Sequence, residues 1–353
     1  MYMKQANNST TPRILLIYTG GTIGMIENPE TGRLQAFKFA FLEENMPELK
    51  RLSFNVDSIQ FAPPVDSSNI TISHWLELAE IIESRQNDYD GFVVLHGTDT
   101  MSYTSSALSF LLKGLGKPVI LTGSQLPIGR LRTDGKENLL TALQIAAARD
   151  EQGKPMVPEV CIYFNTNLMR GNRTVKVSAD QFDAFVSYNY PILAHAGIDI
   201  CFNTKHIQHQ EDSFGFTTHR ALERNISLLH LFPGITEEVV RSILTAPKLR
   251  GVVLESYGSG NAPTEDWFIN LLQDAIKKEI VIVNVTQCQT GSVEMNRYET
   301  GARLAEIGVA SGYDMTSETA ITKLMFLLAQ SLTPQEVAFH MEHSICGELT
   351  RND

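Results

Sequence analysis

The sequence predicts an α/β protein: a mostly parallel sheet in a larger N-terminal domain, followed by a smaller α/β C-terminal domain. Three observations carry this. Short continuous apolar runs recur along the chain, helical patterns lie between several of them, and one long polar stretch divides them into two groups. At 353 residues the chain is too long for one ordinary core and suits two domains.

The strand-like runs are Ile14–Tyr18, Phe92–His96, Val119–Thr122, Val160–Phe164, Gly251–Glu255 and Ile280–Val285. A continuous apolar run reads as a strand buried on both faces, the pattern of a parallel sheet. Between them, Ser73–Arg85 places Trp75, Leu78, Ala79 and Ile82 at i, i+3, i+4 and i+7, with Ser73 as N-cap. Ser102–Lys113 and Asn138–Ala148 read similarly. Alternation of this kind predicts helices on both faces of the sheet. The polar interruption, residues 203–219, holds His206, Gln208, His209, Gln210, Glu211 and Asp212. It is read as a linker, giving domains over 1–202 and 221–353 joined by 203–220. The second domain opens with the strand Ile226–Leu231 and a helix over Thr236–Leu244, for which Thr236 followed by Glu238 is a start signal.

Composition narrows the function classes. A net charge of −11 argues against a nucleic-acid or anionic-membrane surface, since both need basic patches. Cys161, Cys201, Cys288 and Cys346 form no C-x-x-C pair, and a chain of this size needs no disulfide, so they are read as reduced thiols. Residues 1–12 are polar and lack the apolar core of a secretory signal. No apolar run is long enough to span a bilayer. The expectation is a cytoplasmic protein.

Two strand-like runs end in loops where threonine sits among glycines. One is Thr19-Gly20-Gly21-Thr22-Ile23-Gly24 and the other is His96-Gly97-Thr98-Asp99-Thr100. Ligands of open α/β sheets lie at such carboxyl ends of strands. The region from Gly24 to Phe37, rich in turn formers, reads as a mobile loop beside Thr22, the place of a lid. Several alternatives fail on spacing. The adjacent glycines match neither G-x-G-x-x-G nor a P-loop, and no Lys follows. No G-x-S-x-G elbow occurs. His206 and His209, like His340 and His343, lack the Glu of H-E-x-x-H and read as solvated. Threonine as nucleophile fits better, but an alcohol needs a base, and no His is an evident partner. A lysine held by a carboxylate could serve. Asp99 supplies the carboxylate, and Lys176 lies just past the strand Val160–Phe164. From the residues alone, a structural salt bridge for Lys176 is an equal reading.

These two threonine segments resemble the signature segments of bacterial-type L-asparaginases. The resemblance covers nearly the whole chain. It includes Asp66-Ser67-Ser68, Thr122-Gly123-Ser124-Gln125, Arg170-Gly171-Asn172-Arg173-Thr174, Tyr257-Gly258-Ser259-Gly260-Asn261 and Gly347-Glu348-Leu349-Thr350. The last matches, with the missing signal peptide, resemble the cytoplasmic type I branch. The resemblance implies hydrolysis of the L-asparagine side-chain amide to L-aspartate and ammonia, with no metal or cofactor. It implies Thr22 as the nucleophile that forms an acyl-enzyme. Thr98, Asp99 and Lys176 would form a second triad for proton transfer and the attacking water. Ser67 and Asp99 would grip the substrate's α-carboxylate and α-ammonium, flanked by Asp66 and Ser68. Backbone N–H groups around Gly97 and Thr98 are natural oxyanion donors.

The resemblance also implies dimers or dimers of dimers, with Asn261 entering the site from the partner. No tyrosine lies between Tyr18 and Tyr89 to activate Thr22, so Tyr298 of the second domain is expected to do so. Within the type I branch an effector asparagine site carries Arg where this chain has Glu255 and Thr where it has Val175. An acid there would repel a carboxylate, which predicts non-sigmoidal kinetics. Two other readings remain: the amidase subunit of a tRNA-dependent amidotransferase, and a non-catalytic amino-acid-binding protein on the same fold.

Overall fold

In the computed structural model, described over residues 11–27, 34–36, 46–208, 220–295 and 299–351, the apolar runs become strands of two sheets. In chain order the first strands are β1 (Arg13–Tyr18), β2 (Met25–Glu27), β3 (Leu34–Ala36), β4 (Asn55–Gln60), β5 (Gly91–Leu95) and β6 (Val119–Thr122). Next come β7 (Val160–Phe164), β8 (Asn167–Arg170), β9 (Val175–Lys176), β10 (Phe185–Val186), β11 (Ala194–Ala196) and β12 (Ile200–Phe202). The large sheet has eight strands in the order β12-β11-β8-β7-β6-β5-β1-β4. From β4 to β7 every pairing is parallel. From β7 to β12 the pairings are antiparallel, a flank the apolar runs did not predict.

Period-two alternation within the strands feeds both faces. Ile14, Leu16 and Tyr18 point into one core with Leu139, Leu143 and Ala146 of the Gly135–Ala147 helix. Leu15 and Ile17 point into the other, with Trp75, Leu78 and Ile82 of the Ile72–Arg85 helix and Leu108 and Leu111 of the Met101–Leu111 helix. The helix predicted from Ser73 begins one residue earlier. Thr71 is the N-cap, its N–H donating to His74 Nδ1 at 3.0 Å and its hydroxyl bonded to Ser73. The loop expected after Gly24 is in part an antiparallel ribbon of β2 and β3. Residues 28–33 and 37 of that loop lie outside the described residues.

A second sheet is parallel throughout, in the order β13 (Ile226–His230), β14 (Gly251–Ser256), β15 (Val281–Thr286) and β16 (Ala310–Ser311). The Glu237–Leu244 helix, which starts after Thr236 as expected, packs on one face with Asp266–Lys277. The Ser317–Leu328 and Pro334–Met341 helices pack on the other. The Ser317–Leu328 helix also abuts the Met101–Leu111 helix. Phe110 stacks on Phe326 with ring centroids 5.7 Å apart, and Ser106 Oγ lies 3.0 Å from Thr319 Oγ1. Thr319 Oγ1 in turn donates to the Asn172 carbonyl at 2.8 Å.

Residues 344–350 return to the large sheet. The carbonyl of Gly347 accepts from Arg170 Nη1 at 3.3 Å and Arg173 Nε at 2.8 Å, while Asn172 Nδ2 donates to the Cys346 carbonyl at 3.0 Å. Glu348 is fully buried. It accepts from the N–H groups of Ile345 and Cys346 and meets Lys323, also fully buried, at 2.6 Å. Burial alone would raise the Glu348 carboxyl, but the Lys323 ammonium and the backbone donors hold it below the usual carboxylate range. Among the described residues no helix is long and apolar enough to cross a membrane. All four cysteines are free thiols, with Cys161 buried and its thiol pushed up by that burial.

Candidate functional site

The carboxyl ends of β1, β4 and β5 bring three loops together. Thr19 donates both its N–H and its hydroxyl to the Leu95 carbonyl, at 3.0 and 2.9 Å, tying the loop after β1 to the end of β5. Gly20 has φ +139 and Gly21 has φ +92, backbone that favours glycine. Space demands it as well. A Cβ on Gly21 would lie 2.5 Å from Gly97 N and Cα, so the backbones of the two threonine loops touch. A Cβ on Gly20 would lie 2.1 Å from the Val65 carbonyl oxygen. Thr22 follows at once, half-buried, opening the Thr22–Gly24 turn.

The third loop carries Asp66, Ser67 and Ser68. Asp66 caps a short turn by accepting from the Ser68 N–H at 2.9 Å and the Ser68 hydroxyl at 3.0 Å. Ser67 is buried, its carbonyl accepting from Thr100 Oγ1 at 2.7 Å. A Cβ on Gly97 would meet Ser67 Oγ at 2.5 Å, so Gly97 is where all three loops converge.

Lys176 reaches the same rim. Its Nζ donates to Thr98 Oγ1 at 2.8 Å and to Asp99 Oδ1 at 2.7 Å. Charge-assisted bonds of this length fix both partners. The Lys176 side chain is 17% exposed and that of Asp99 is 63%, so the carboxylate is open on this chain. Lys176 is delivered by the Gly171–Arg173 turn, whose residues are buried. Arg170 and Arg173 pin that turn through Glu159 at 2.6 Å and Asp314 at 2.8 Å, and residues 346–350 cap it.

Gln125 was missed as a site residue. Its Oε1 accepts from Thr98 Oγ1 at 3.4 Å, a long bond, while Asp134 holds its N–H at 2.9 Å. Its motif was visible, but no spacing rule points a glutamine after β6 at a threonine after β5. Asn261 lies elsewhere on this chain, in the tight 257–261 turn after β14 of the second sheet. Tyr298 lies outside the described residues.

A separate cavity of about 260 Å³ opens between the sheets, lined by Arg173, Val175, His230, Glu255, Asp314 and Glu318 among others. Glu255 accepts from His230 Nδ1 at 2.6 Å and from the Ser317 hydroxyl. Burial raises the Glu318 carboxyl, and the Glu255 charge adds to that rise against local donors. Glu255, Asp314 and Glu318 bring three carboxyl groups to this cavity, with Arg173 and His230 beside them. Among the described residues, no group of three or more His, Cys, Asp or Glu side chains is arranged to hold a metal ion.

Comparison with known proteins gives a consistent result. The family model described as Asparaginase, N-terminal, matches residues 13–208, and that of the Glutaminase/Asparaginase C-terminal domain matches residues 225–341. L-asparaginase 1 of Escherichia coli (strain K12) is 44% identical over 346 residues, 96% of this chain and 98% of that protein. The crystal structure of L-asparaginase I from Vibrio cholerae superimposes with a TM-score of 0.88 at 40% identity, covering 97% of this chain and all of that one. The thermostable L-asparaginase from Thermococcus kodakarensis gives 0.87 at 32% identity, over 96% of this chain and all of that one.

Proposed function

Because the chain belongs to the asparaginase family, we propose that it is an L-asparaginase, hydrolysing the side-chain amide of L-asparagine to L-aspartate and ammonia. The observation that carries this reading is Lys176 Nζ within 2.8 Å of Thr98 Oγ1 and 2.7 Å of Asp99 Oδ1, on a loop whose backbone touches the loop of Thr22.

In this reading Thr22 Oγ attacks the amide carbon and loses its proton as the C–O bond forms. The C–N bond breaks, the nitrogen takes up a proton, and ammonia leaves an ester on Thr22. Water then adds to the ester carbon, giving its proton toward Thr98 and Lys176. The ester C–O bond breaks, Thr22 regains its proton, and aspartate departs. Ser67 and Asp99, with Asp66 and Ser68 beside them, hold the α-carboxylate and α-ammonium, since a zwitterion needs donors for one end and an acid for the other. The open face of Asp99 suits that second task. Tyr298 activates Thr22. Asn261 of the partner subunit completes the site in a dimer or dimer of dimers. The protein works in the cytoplasm, and its domains are 1–202 and 221–353, joined by 203–220.

The test is ammonia release from asparagine by the wild type, Thr22→Ala and Thr98→Ala. Each substitution should cost at least about a thousandfold in kcat, as losing a nucleophile or its proton-transfer partner does. Near-normal turnover by Thr22→Ala overturns the nucleophile assignment. Tyr298→Phe should lose more than about tenfold; a smaller loss removes Tyr298 from the mechanism.

A further inference from the structure

We propose that His96 is a positioning residue: its neutral ring, held through Thr104 by Trp75, fixes the Gly97–Thr98 peptide so that the Thr98 N–H is aimed at the reacting amide. The bonds define the ring's state. Nδ1 lies 2.7 Å from the Gly97 carbonyl oxygen, which can only accept, so Nδ1 carries the proton. Trp75 Nε1 can only donate, and it lies 2.9 Å from Thr104 Oγ1. Thr104 therefore spends its own proton on His96 Nε2, 2.9 Å away, which accepts. All three side chains are buried, and every polar atom in the relay is matched, donor to acceptor. Burial also pushes the imidazole down to about 4, against the upward pull of its bond to Gly97, so the ring stays neutral at working pH.

The consequence is geometric. In a trans peptide the N–H points opposite to the carbonyl. Holding the Gly97 carbonyl thus sets the direction of the Thr98 N–H. That N–H is the first of the Thr98–Thr100 turn and has no acceptor within it. Gly97 has no side chain and lies wedged between Gly21 and Ser67, so the bond to its carbonyl is what its polar backbone offers the ring to hold. An oxyanion donor works only if it is aimed before charge develops. The inference rests on the asparaginase reading above.

The test has two arms. In the wild type, nitrogen NMR of the nine histidines, with His96 identified by its loss in His96→Asn, should show Nδ1 protonated and Nε2 bare near neutral pH. A proton on Nε2 alone overturns the relay. In the second arm, His96→Asn places an amide nitrogen near the Nδ1 position, whereas His96→Gln reaches toward the Nε2 position instead. His96→Asn should keep a kcat at least about tenfold above that of His96→Gln, with KM for asparagine alike in both, the signature of a misaimed transition-state donor. Equal kcat values, or a difference confined to KM, overturn the proposal. If the wild type releases no ammonia from asparagine, the functional reading fails, while the NMR arm still decides the relay.

Discussion

Replacing Lys323 by methionine removes one half of an ion pair that has no access to solvent. Methionine keeps the aliphatic stem and deletes the ammonium. Glu348 keeps its backbone donors Ile345 and Cys346 but loses the cation 2.6 Å away, and the carbonyls of Met341 and His343 lose a donor at 3.1 and 2.7 Å. Breaking a buried pair from one side costs about 3–5 kcal/mol. Unfolding entropy of about 2.1 cal/mol/K per residue gives about 0.7 kcal/mol/K over the 353 residues, so Tm should fall by about 4–7 °C. The pH dependence has a definite sign. In the wild type Glu348 is held below the usual carboxylate range, so its contribution is present above that range and is lost as pH falls through it. In Lys323→Met the buried carboxyl has no cation and is pushed upward, so protonation relieves it. The gap in Tm between the two proteins should therefore narrow from about pH 7.5 to about pH 5. Scanning calorimetry at both pH values is the assay. A Tm within about 1 °C of wild type at the higher pH, or a gap that does not narrow, refutes the reasoning.

Three other outcomes are expected. Gly347, at φ +74 with a would-be Cβ 2.5 Å from Arg170 Nη1, should lose about 1–3 kcal/mol on Gly347→Ala. Gly153→Ala, at φ +78 in open space, is the control for strain alone, and equal urea midpoints for the two would dismiss the clash. His96, neutral when folded down to about pH 4 and titrating near 6.5 when unfolded, makes stability fall by about 3 kcal/mol as pH drops between those values. His96→Asn should flatten that window by one proton in urea titrations, and an unchanged slope argues against it. Initial rates against asparagine concentration should be hyperbolic, since Glu255 puts a carboxylate in the cavity beside Val175; a clear sigmoid contradicts this.

In the parallel half of the large sheet, β1, β5, β6 and β7 were legible because they are buried on both faces and so are apolar at nearly every position, whereas the largely exposed β4 was not. Nor were β11 and β12, three-residue strands with His195 and Cys201 facing out, or β8, which is mostly buried but sets Asn167 and Arg170 among only four residues. The Ser317–Leu328 helix escaped for the opposite reason. It is buried on almost every side, Lys323 included, so it shows no amphipathic stripe. At the site, Thr22, Thr98 and Asp99 were marked by glycines that permit close backbone contact. Lys176 was placed on the rim by the strand-end rule with Asp99 named as its carboxylate, and it lies 2.7 Å from Asp99 Oδ1. Gln125 and the Trp75–Thr104–His96 relay carry no local signature, because what defines them is proximity between residues of different elements.

The bracing of the Lys176 turn by residues 346–350 has a bearing on synthesis. Arg170 and its acceptor at Gly347 are 177 positions apart in sequence. At about 5–20 residues per second, translation needs about 10–35 s to span that interval. Through that time the large sheet can assemble while the segment that delivers its lysine lacks its clamp. A nascent chain can thus carry both threonines in place and still await residues 346–350, which links the onset of turnover to synthesis of that segment.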